Sequence, residues 1–294
     1  MIKAIVTDMD GTLLDPNNNI PETTIQKLLE LEEKGIRIIL ASGRNYNRLM
    51  KYVDLLKMRK YNGYLIEVDG VAIYDTGIDK REVLQRMDMD NVQRIFSRLM
   101  ELDVEVQACF DDGMFAWFSD SIRDLKKQLR IQRNLPDDFP WTSGPWDWLT
   151  DMRDGYPKQY FIKDPSEIFP PINKIQIMHD ADVIAKIYDI LISEYENQYE
   201  FFRTCPRQIE ILTKGVSKGS ALKHIMSLNG WKADEIAAFG DGENDVSLFE
   251  HASYSFAMGQ AEDFIKDKAN YVTLSNAEEG LLEGIHRMEE KGCI

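Results

Sequence analysis

The chain has 294 residues, of which 44% are hydrophobic and 29% charged, a composition that fits two ordinary domains or one large one and not a disordered chain. Its 35 basic and 50 acidic residues leave a net charge of −15, which argues against nucleic acid or an anionic membrane surface as partner. Cys109, Cys205 and Cys293 are an odd number, far apart and without C-x-x-C spacing, which argues against a disulfide framework or a thiolate zinc site and fits a reducing compartment. Asp8 and Asp10 stand where a signal peptide needs an apolar run, and no stretch of ~18 apolar residues offers a membrane span. A cytoplasmic location is expected.

In chain order, Ile2 to Thr7 is an apolar run that predicts a buried strand, ending in the turn-like Asp8-Met9-Asp10-Gly11-Thr12. Ile25, Leu28, Leu29 and Leu31 then recur at helical spacing after Pro21, with Gly35 as C-terminal cap. Ile36 to Leu40 is a second strand, closed by Ala41-Ser42-Gly43-Arg44, and a helix carrying Leu49, Val53 and Leu56 follows. This alternation predicts a Rossmann-like, doubly wound parallel α/β sheet.

The rhythm changes near residue 82. A helix with Val92, Ile95, Phe96 and Leu99 precedes a hairpin from Val104 to Phe118 that turns at Asp112-Gly113. Residues 134 to 173 hold seven of the ten prolines and three of the five tryptophans, so this stretch reads as an irregular loop or lid. A strand at Lys174 to Met178, a helix at Ile184 to Leu191 and strands within Phe201 to Leu212 complete an α+β module. From Ser217 the first rhythm returns: a helix with Ala221, Leu222 and Ile225, then a strand from Ile236 to Phe239 running into Gly240-Asp241-Gly242-Glu243-Asn244-Asp245. Strands at Tyr254 to Met258 and Tyr271 to Thr273 and a helix with Leu281, Leu282 and Ile285 follow. The expected organisation is a split α/β core, 1–81 with 211–294, and an inserted α+β domain, 82–210.

Polar clusters sit where apolar strands end: Asp8 with Asp10, Ser42 with Arg44, and Asp241 with Asn244 and Asp245. Open α/β sheets bind ligands outside the carboxyl ends of their strands. Were these strands neighbours, four carboxylates would converge, and two like charges about 4 Å apart repel by about 4 kcal/mol at an effective dielectric near ~20. Such a cluster needs a cation, a proton or heavy solvation, and an all-oxygen donor set suits Mg²⁺. Lys218, at the start of a predicted helix, can bring a positive charge to the same place. The set suits phosphoryl transfer: cation and lysine offset the phosphoryl charge, one carboxylate serves as nucleophile, and a second, two residues on, handles the protons.

Asp8-Met9-Asp10-Gly11-Thr12-Leu13-Leu14 resembles the first motif of the haloacid dehalogenase-like phosphohydrolases, and Gly240-Asp241-Gly242-Glu243-Asn244-Asp245 their last. Ala41-Ser42-Gly43-Arg44 resembles the second, with Ser where Thr is commoner, and Gly215-Val216-Ser217-Lys218-Gly219 the third. The insertion between the second and third is similar to that of the Cof-type subfamily with an α+β cap (class IIB), and the resemblance covers nearly the whole chain. It implies Asp8 as nucleophile and metal ligand, Asp10 as general acid/base and ligand through its carbonyl, and Asp241 and Asp245 as the rest of the Mg²⁺ site. Ser42 and Lys218 would hold the phosphoryl group, with Gly43, Arg44 and Asn244 as further phosphate or substrate contacts. Arg44 reads equally as a partner for an acid. Asp69-Gly70 departs from the Asn-Gly usual in such relatives.

The blander readings of these residues are a solvated strand-end turn for Asp8 and Asp10, a helix N-cap for Ser42 and a surface lysine for Lys218; four ordered motifs argue against all three. Lys218-Gly219-Ser220 is not a P-loop, and His179, His224, His251 and His286 lack metal-ligand spacing. The expected activity is therefore a Mg²⁺-dependent phosphatase acting on a small phosphorylated metabolite, sugar phosphates first, with the cap selecting the leaving group. A phosphomutase would use the same aspartyl phosphate, and the sequence does not separate the two. A purely binding protein has no need of both Asp8 and Asp10.

Overall fold

The computed structural model describes residues 1–294. It divides into two compact units, Met1–Leu84 with Val216–Ile294 and the inserted Gln85–Gly215. The seams lie a few residues beyond 81 and 210 because a strand carries the first unit to Val83 and another carries the insertion to Thr213.

The first unit begins β1 (Ala4–Asp8), α1 (Glu22–Glu33), β2 (Arg37–Ala41), α2 (Tyr46–Leu55), α3 (Met58–Tyr61), β3 (Tyr64–Glu67), β4 (Ala72–Asp75) and β5 (Lys80–Val83). The insertion supplies α4 (Met89–Met100), β6 (Glu105–Phe110), β7 (Gly113–Trp117), α5 (Asp120–Gln132), β8 (Lys158–Phe161), β9 (Lys174–Met178), α6 (Ala181–Tyr195), β10 (Tyr199–Cys205) and β11 (Gln208–Thr213). The first unit resumes with α7 (Lys218–Asn229), β12 (Ile236–Gly240), α8 (Val246–Phe249), β13 (Tyr254–Ala257), α9 (Asp263–Lys266), β14 (Tyr271–Val272) and α10 (Gly280–Glu290).

Its sheet runs β14-β13-β12-β1-β2-β3-β4-β5. Strands β14 to β3 pair in parallel, whereas β4 and β5 add an antiparallel extension. The central strands are continuous apolar runs because both faces are covered. Ile5, Ile38, Leu40 and Phe239 pack with Leu28, Leu31 and Ile285 on one side; Val6, Ile39 and Ala238 pack with Leu222 and Ile225 on the other. Each such Leu or Ile, fully buried, contributes about 1.5–3 kcal/mol.

The inserted sheet, β10-β11-β9-β6-β7-β8, is two-faced. Alternation along β6, β9 and β11 sends Val106, Ala108, Ile175, Ile177, Ile209 and Ile211 toward Ile95, Phe96, Ile184 and Leu191 of α4 and α6. The other face is polar yet buried. Gln208 Nε2 donates to Gln176 Oε1 (3.0 Å), Gln176 Nε2 to Gln107 Oε1 (2.7 Å) and Gln107 Nε2 to Glu105 Oε1 (2.8 Å). Ion pairs Lys174–Glu210 (2.6 Å) and Lys126–Glu105 flank this chain, and Ser143 closes it by donating Oγ–H and N–H to Glu105.

Helix α5 is absent from the sequence expectation, and the stretch expected to be irregular contains strand β8, parallel to β7. Trp148 anchors that stretch: its Nε1–H donates to Asp180 (3.2 Å), and the Arg207 guanidinium lies 4.9 Å from its ring centre. No helix is long and apolar enough to cross a membrane.

Candidate active site

Strand β1 lies between β2 and β12, all three parallel, so their carboxyl ends open at one edge. Asp8 is the last residue of β1, Ser42 follows β2, and Asp241 follows β12. Lys218 opens α7, whose N-cap Ser217 accepts from the backbone N–H of Ser220 (3.1 Å). A lysine at a positive helix end is stabilised only by nearby anions. They are present: Lys218 Nζ donates to Asp8 Oδ1 (2.6 Å) and Asp245 Oδ1 (2.7 Å), and its side chain is fully buried.

Asp245 is fixed on its other oxygen, which accepts the backbone N–H groups of Asp241 and Gly242, each at 3.0 Å. Asp241 accepts from Thr12 Oγ1 (2.8 Å). Gly11 takes φ +83°, and a Cβ there would stand 2.3 Å from Asp241 Oδ2, so a side chain at this position would be strained and would crowd Asp241. Oxygens of Asp8, Asp241 and Asp245 lie within 4.8 Å of one another. Three acids against one ammonium leave two negative charges unbalanced when all are ionised.

The titration pattern reflects burial first and that deficit second. Burial pushes the Asp8 carboxyl well above the usual carboxylate range; Lys218 pulls it down, while Asp245, Asp241 and Asp10 push it up. Burial, then Asp245, raises Asp241 to about 7, with Thr12 and Lys218 opposing. Burial opposes the Lys218 ammonium, but Asp245 and Asp8 outweigh it and hold its pKa above the usual lysine range. An anionic, all-oxygen, buried cluster fits a hard divalent cation, whose charge would offset this repulsion.

Asp10 stands apart from that trio. Its side chain is 53% exposed and gripped by Arg44: Arg44 Nε reaches Asp10 Oδ2 at 2.8 Å, and Nη2 pairs with Oδ1. The expected convergence of four carboxylates is thus three plus a forked Arg–Asp pair, and Arg44 faces an acid in this structure. Ser42 is buried and does not cap α2; Asn45 does, accepting from the Arg48 N–H (3.4 Å). Ser42 Oγ instead accepts from the Arg44 N–H (3.2 Å), across the half-buried Gly43.

Asn244 Nδ2 donates to Asp69 Oδ1 (2.8 Å), and the Asp69 N–H donates to the Ser42 carbonyl (3.0 Å). Asp69 is buried in a left-handed conformation (φ 53°), which Asp tolerates better than most residues. Gly70, at φ +104°, lets this turn approach α7; a Cβ would meet the Ser217 carbonyl at 2.1 Å. The loop after β3 therefore ties Ser42, Asn244 and the start of α7 together. Sequence reasoning flagged Asp69 only as a departure and missed Gln260, whose Nε2 donates to the Gly11 carbonyl (2.5 Å). No sequence signal marks a contact across 249 positions.

A family model for haloacid dehalogenase-like hydrolases matches residues 5–285. The chain is 24% identical over 284 residues to the 5-amino-6-(5-phospho-D-ribitylamino)uracil phosphatase YcsE of Bacillus subtilis, covering 97% of this chain and 94% of that protein. Among solved structures it shares the fold of a haloacid dehalogenase-like hydrolase from Bacteroides thetaiotaomicron (TM-score 0.74, 23% identity, 98% and 100% covered). It likewise shares that of the subclass IIB sugar phosphatase BT4131 (TM-score 0.73, 20% identity, 99% and 100% covered).

Proposed function

The chain belongs to the haloacid dehalogenase-like hydrolases, and from that premise we propose that it is a Mg²⁺-dependent phosphatase that carries the phosphoryl group on Asp8. The observation that carries the reading is the Asp8 carboxylate at the end of β1, 2.6 Å from the buried Lys218, with Asp10 two residues on and held by Arg44. A nucleophile, a charge-offsetting cation and a solvent-facing proton carrier are the parts that two-step phosphoryl transfer requires.

In the first step an Asp8 oxygen bonds to phosphorus as the ester P–O bond breaks, and Asp10 gives its proton to the leaving oxygen. In the second, Asp10 takes a proton from water, the water oxygen bonds to phosphorus, and Asp8 leaves as carboxylate. Arg44 holds the Asp10 carboxylate by a two-point grip in this structure, and one of the two contacts opens when that oxygen carries the proton. Ser42, Gly43 and Lys218 bind phosphoryl oxygens, and Asn244, oriented by Asp69, adds an amide donor or acceptor at the same edge. Asp8, Asp241 and Asp245, with the Asp10 carbonyl, would hold the Mg²⁺, which would offset charge on the transferring group.

The proposed substrate is a sugar or sugar-alcohol phosphate, supported by relatives named for a sugar phosphate and a ribitylamino phosphate. Its selection is assigned to the inserted unit. The test is phosphate release from a panel of sugar phosphates and phosphorylated cofactors, with Mg²⁺ and with chelator, beside Asp8→Asn. Release that requires both metal and Asp8 is expected. Release unaffected by Asp8→Asn would overturn the mechanism, and isomerised product without free phosphate would make the protein a mutase.

A further inference from the structure

In a chain of net charge −15, helix α5 is basic: Arg123, Lys126, Lys127 and Arg130 against Asp120 and Asp124. Two of the four cations are committed to the fold. Lys126 is buried against Glu105, and Arg130 donates to the Phe139 (2.6 Å) and Pro136 (2.8 Å) carbonyls. Arg123 and Lys127, one helical turn apart, instead line a cavity of about 250 Å³ formed with residues of β7 and β8 of the inserted sheet. Its lining is largely aromatic, with Trp117, Phe118, Trp141 and Phe161 beside Ala116 and Ile162. Ala116 and Phe161 are register partners in the parallel β7–β8 pair and so share a face.

The walls are held in place. Phe118 and Phe161 meet edge to face with centroids 5.9 Å apart, and Arg130 lies 4.4 Å from the Trp141 ring centre. The Arg123 guanidinium sits 5.5 Å from the Phe118 ring centre. Each of these cations also has a local, exposed acidic partner, Arg123 with Asp120 at 3.4 Å and Lys127 with Asp124 at 2.8 Å. Such pairs are weak and give way to an incoming anion. Phe161, one of the lining rings, is left 47% exposed.

We infer that this cavity is a binding site for a planar aromatic ring bearing a phosphate, in the size class of a nucleoside monophosphate. Aromatic walls select a flat ring by stacking or edge contact. A guanidinium and an ammonium at one rim select an anionic substituent over a neutral one. The volume falls below the ~300–1,000 Å³ of pockets that enclose drug-sized ligands, so the ring occupies the cavity while the phosphate stays at the rim. None of these residues belongs to the Asp8 site, and the inference stands or falls independently of the proposed reaction.

The test uses the full chain carrying Asp8→Asn, with chelator, so that the probe is neither consumed nor held by metal. Tryptophan emission is titrated with AMP, adenosine and inorganic phosphate separately. Saturable quenching by AMP is expected, at least tenfold weaker binding of adenosine, and no change with phosphate alone. Adding Arg123→Glu and Lys127→Glu together, or Phe161→Ala alone, weakens AMP at least tenfold with an unchanged circular dichroism spectrum; these side chains are exposed enough for the fold to tolerate the changes. Absence of a saturable AMP response would overturn the inference. So would equal binding of adenosine, or AMP binding untouched by the cavity variants, which would place the nucleotide elsewhere.

Discussion

Glu32 offers a stability test free of catalytic assumptions. It lies on the inward side of α1 beside Leu28 and Leu31, is 3% exposed, and neither carboxylate oxygen has a hydrogen-bond partner. Burial raises its pKa from 4.5 to about 8, with Lys60 offering only a weak opposing pull. Between those two values the native state keeps a proton that the unfolded state has released, so stability falls as pH rises through the window and levels off above it. Each pH unit in the window costs about 1.4 kcal/mol, which makes about 3 kcal/mol at pH 7 and at most about 5 kcal/mol above pH 8. Glu32→Gln keeps the shape and removes the titration. Its thermal midpoint should match wild type near pH 4.5 and exceed it by about 6–12 °C at pH 7, taking ~2–4 °C per kcal/mol for a unit of this size. The assay is thermal unfolding of both proteins from pH 4.5 to 8.5. Parallel midpoint curves across that range, or a variant less stable at pH 7, would refute the reasoning.

The remaining predictions concern the site and the inserted unit. Lys218→Met leaves Asp8, Asp241 and Asp245 without their cation; it should abolish phosphate release and destabilise the metal-free protein by about 3–5 kcal/mol, most of it recovered by added Mg²⁺ in chemical denaturation. Arg44→Lys keeps the charge but cannot fork onto Asp10, so kcat should fall about tenfold, or about 1.4 kcal/mol, with little change in KM; a variant with wild-type kcat would remove Arg44 from positioning Asp10. Gly11→Ala combines a strained φ with a clash at Asp241; it should cost about 1–3 kcal/mol and raise the Mg²⁺ concentration needed for half-maximal activity. Lys126→Met strands Glu105 beneath Ser143 and should destabilise the inserted unit by about 3–5 kcal/mol, whereas exposed Lys127→Met should shift it by less than about 0.5 kcal/mol.

The strands of the central sheet were legible because burial on both faces makes each an unbroken apolar run, and the polar residues that end Ile2–Thr7, Ile36–Leu40 and Ile236–Phe239 stand out against them. Adjacency of those ends was left open by the sequence and is fixed by the topology, with β1 between β2 and β12. Helix α5 was hidden by its own charge: only Ile122, Leu125 and Leu129 mark its inner face, amid Arg123, Lys126, Lys127 and Arg130. Strand β8 was hidden by the prolines around it, since an edge strand of four residues needs little periodicity. The pairing choices inside the site were not legible at all. That Arg44 grips Asp10, that Asp69 orients Asn244 and that Gln260 reaches Gly11 are decided by which loops meet, across 34, 175 and 249 positions respectively. Glu32 carries the same lesson in reverse, because in Leu-Glu-Leu-Glu-Glu nothing distinguishes the buried glutamate from its solvated neighbours.

The central claim is that Asp8 carries the phosphoryl group. Acid quenching during turnover of the best substrate, followed by peptide mass mapping, tests it most directly. The account predicts one added phosphoryl group on the N-terminal peptide containing Asp8, labile to hydroxylamine, absent without Mg²⁺ and absent from Asp8→Asn. Active enzyme that yields no such adduct at any quench time, while its Asp8→Asn variant still releases phosphate, would contradict it.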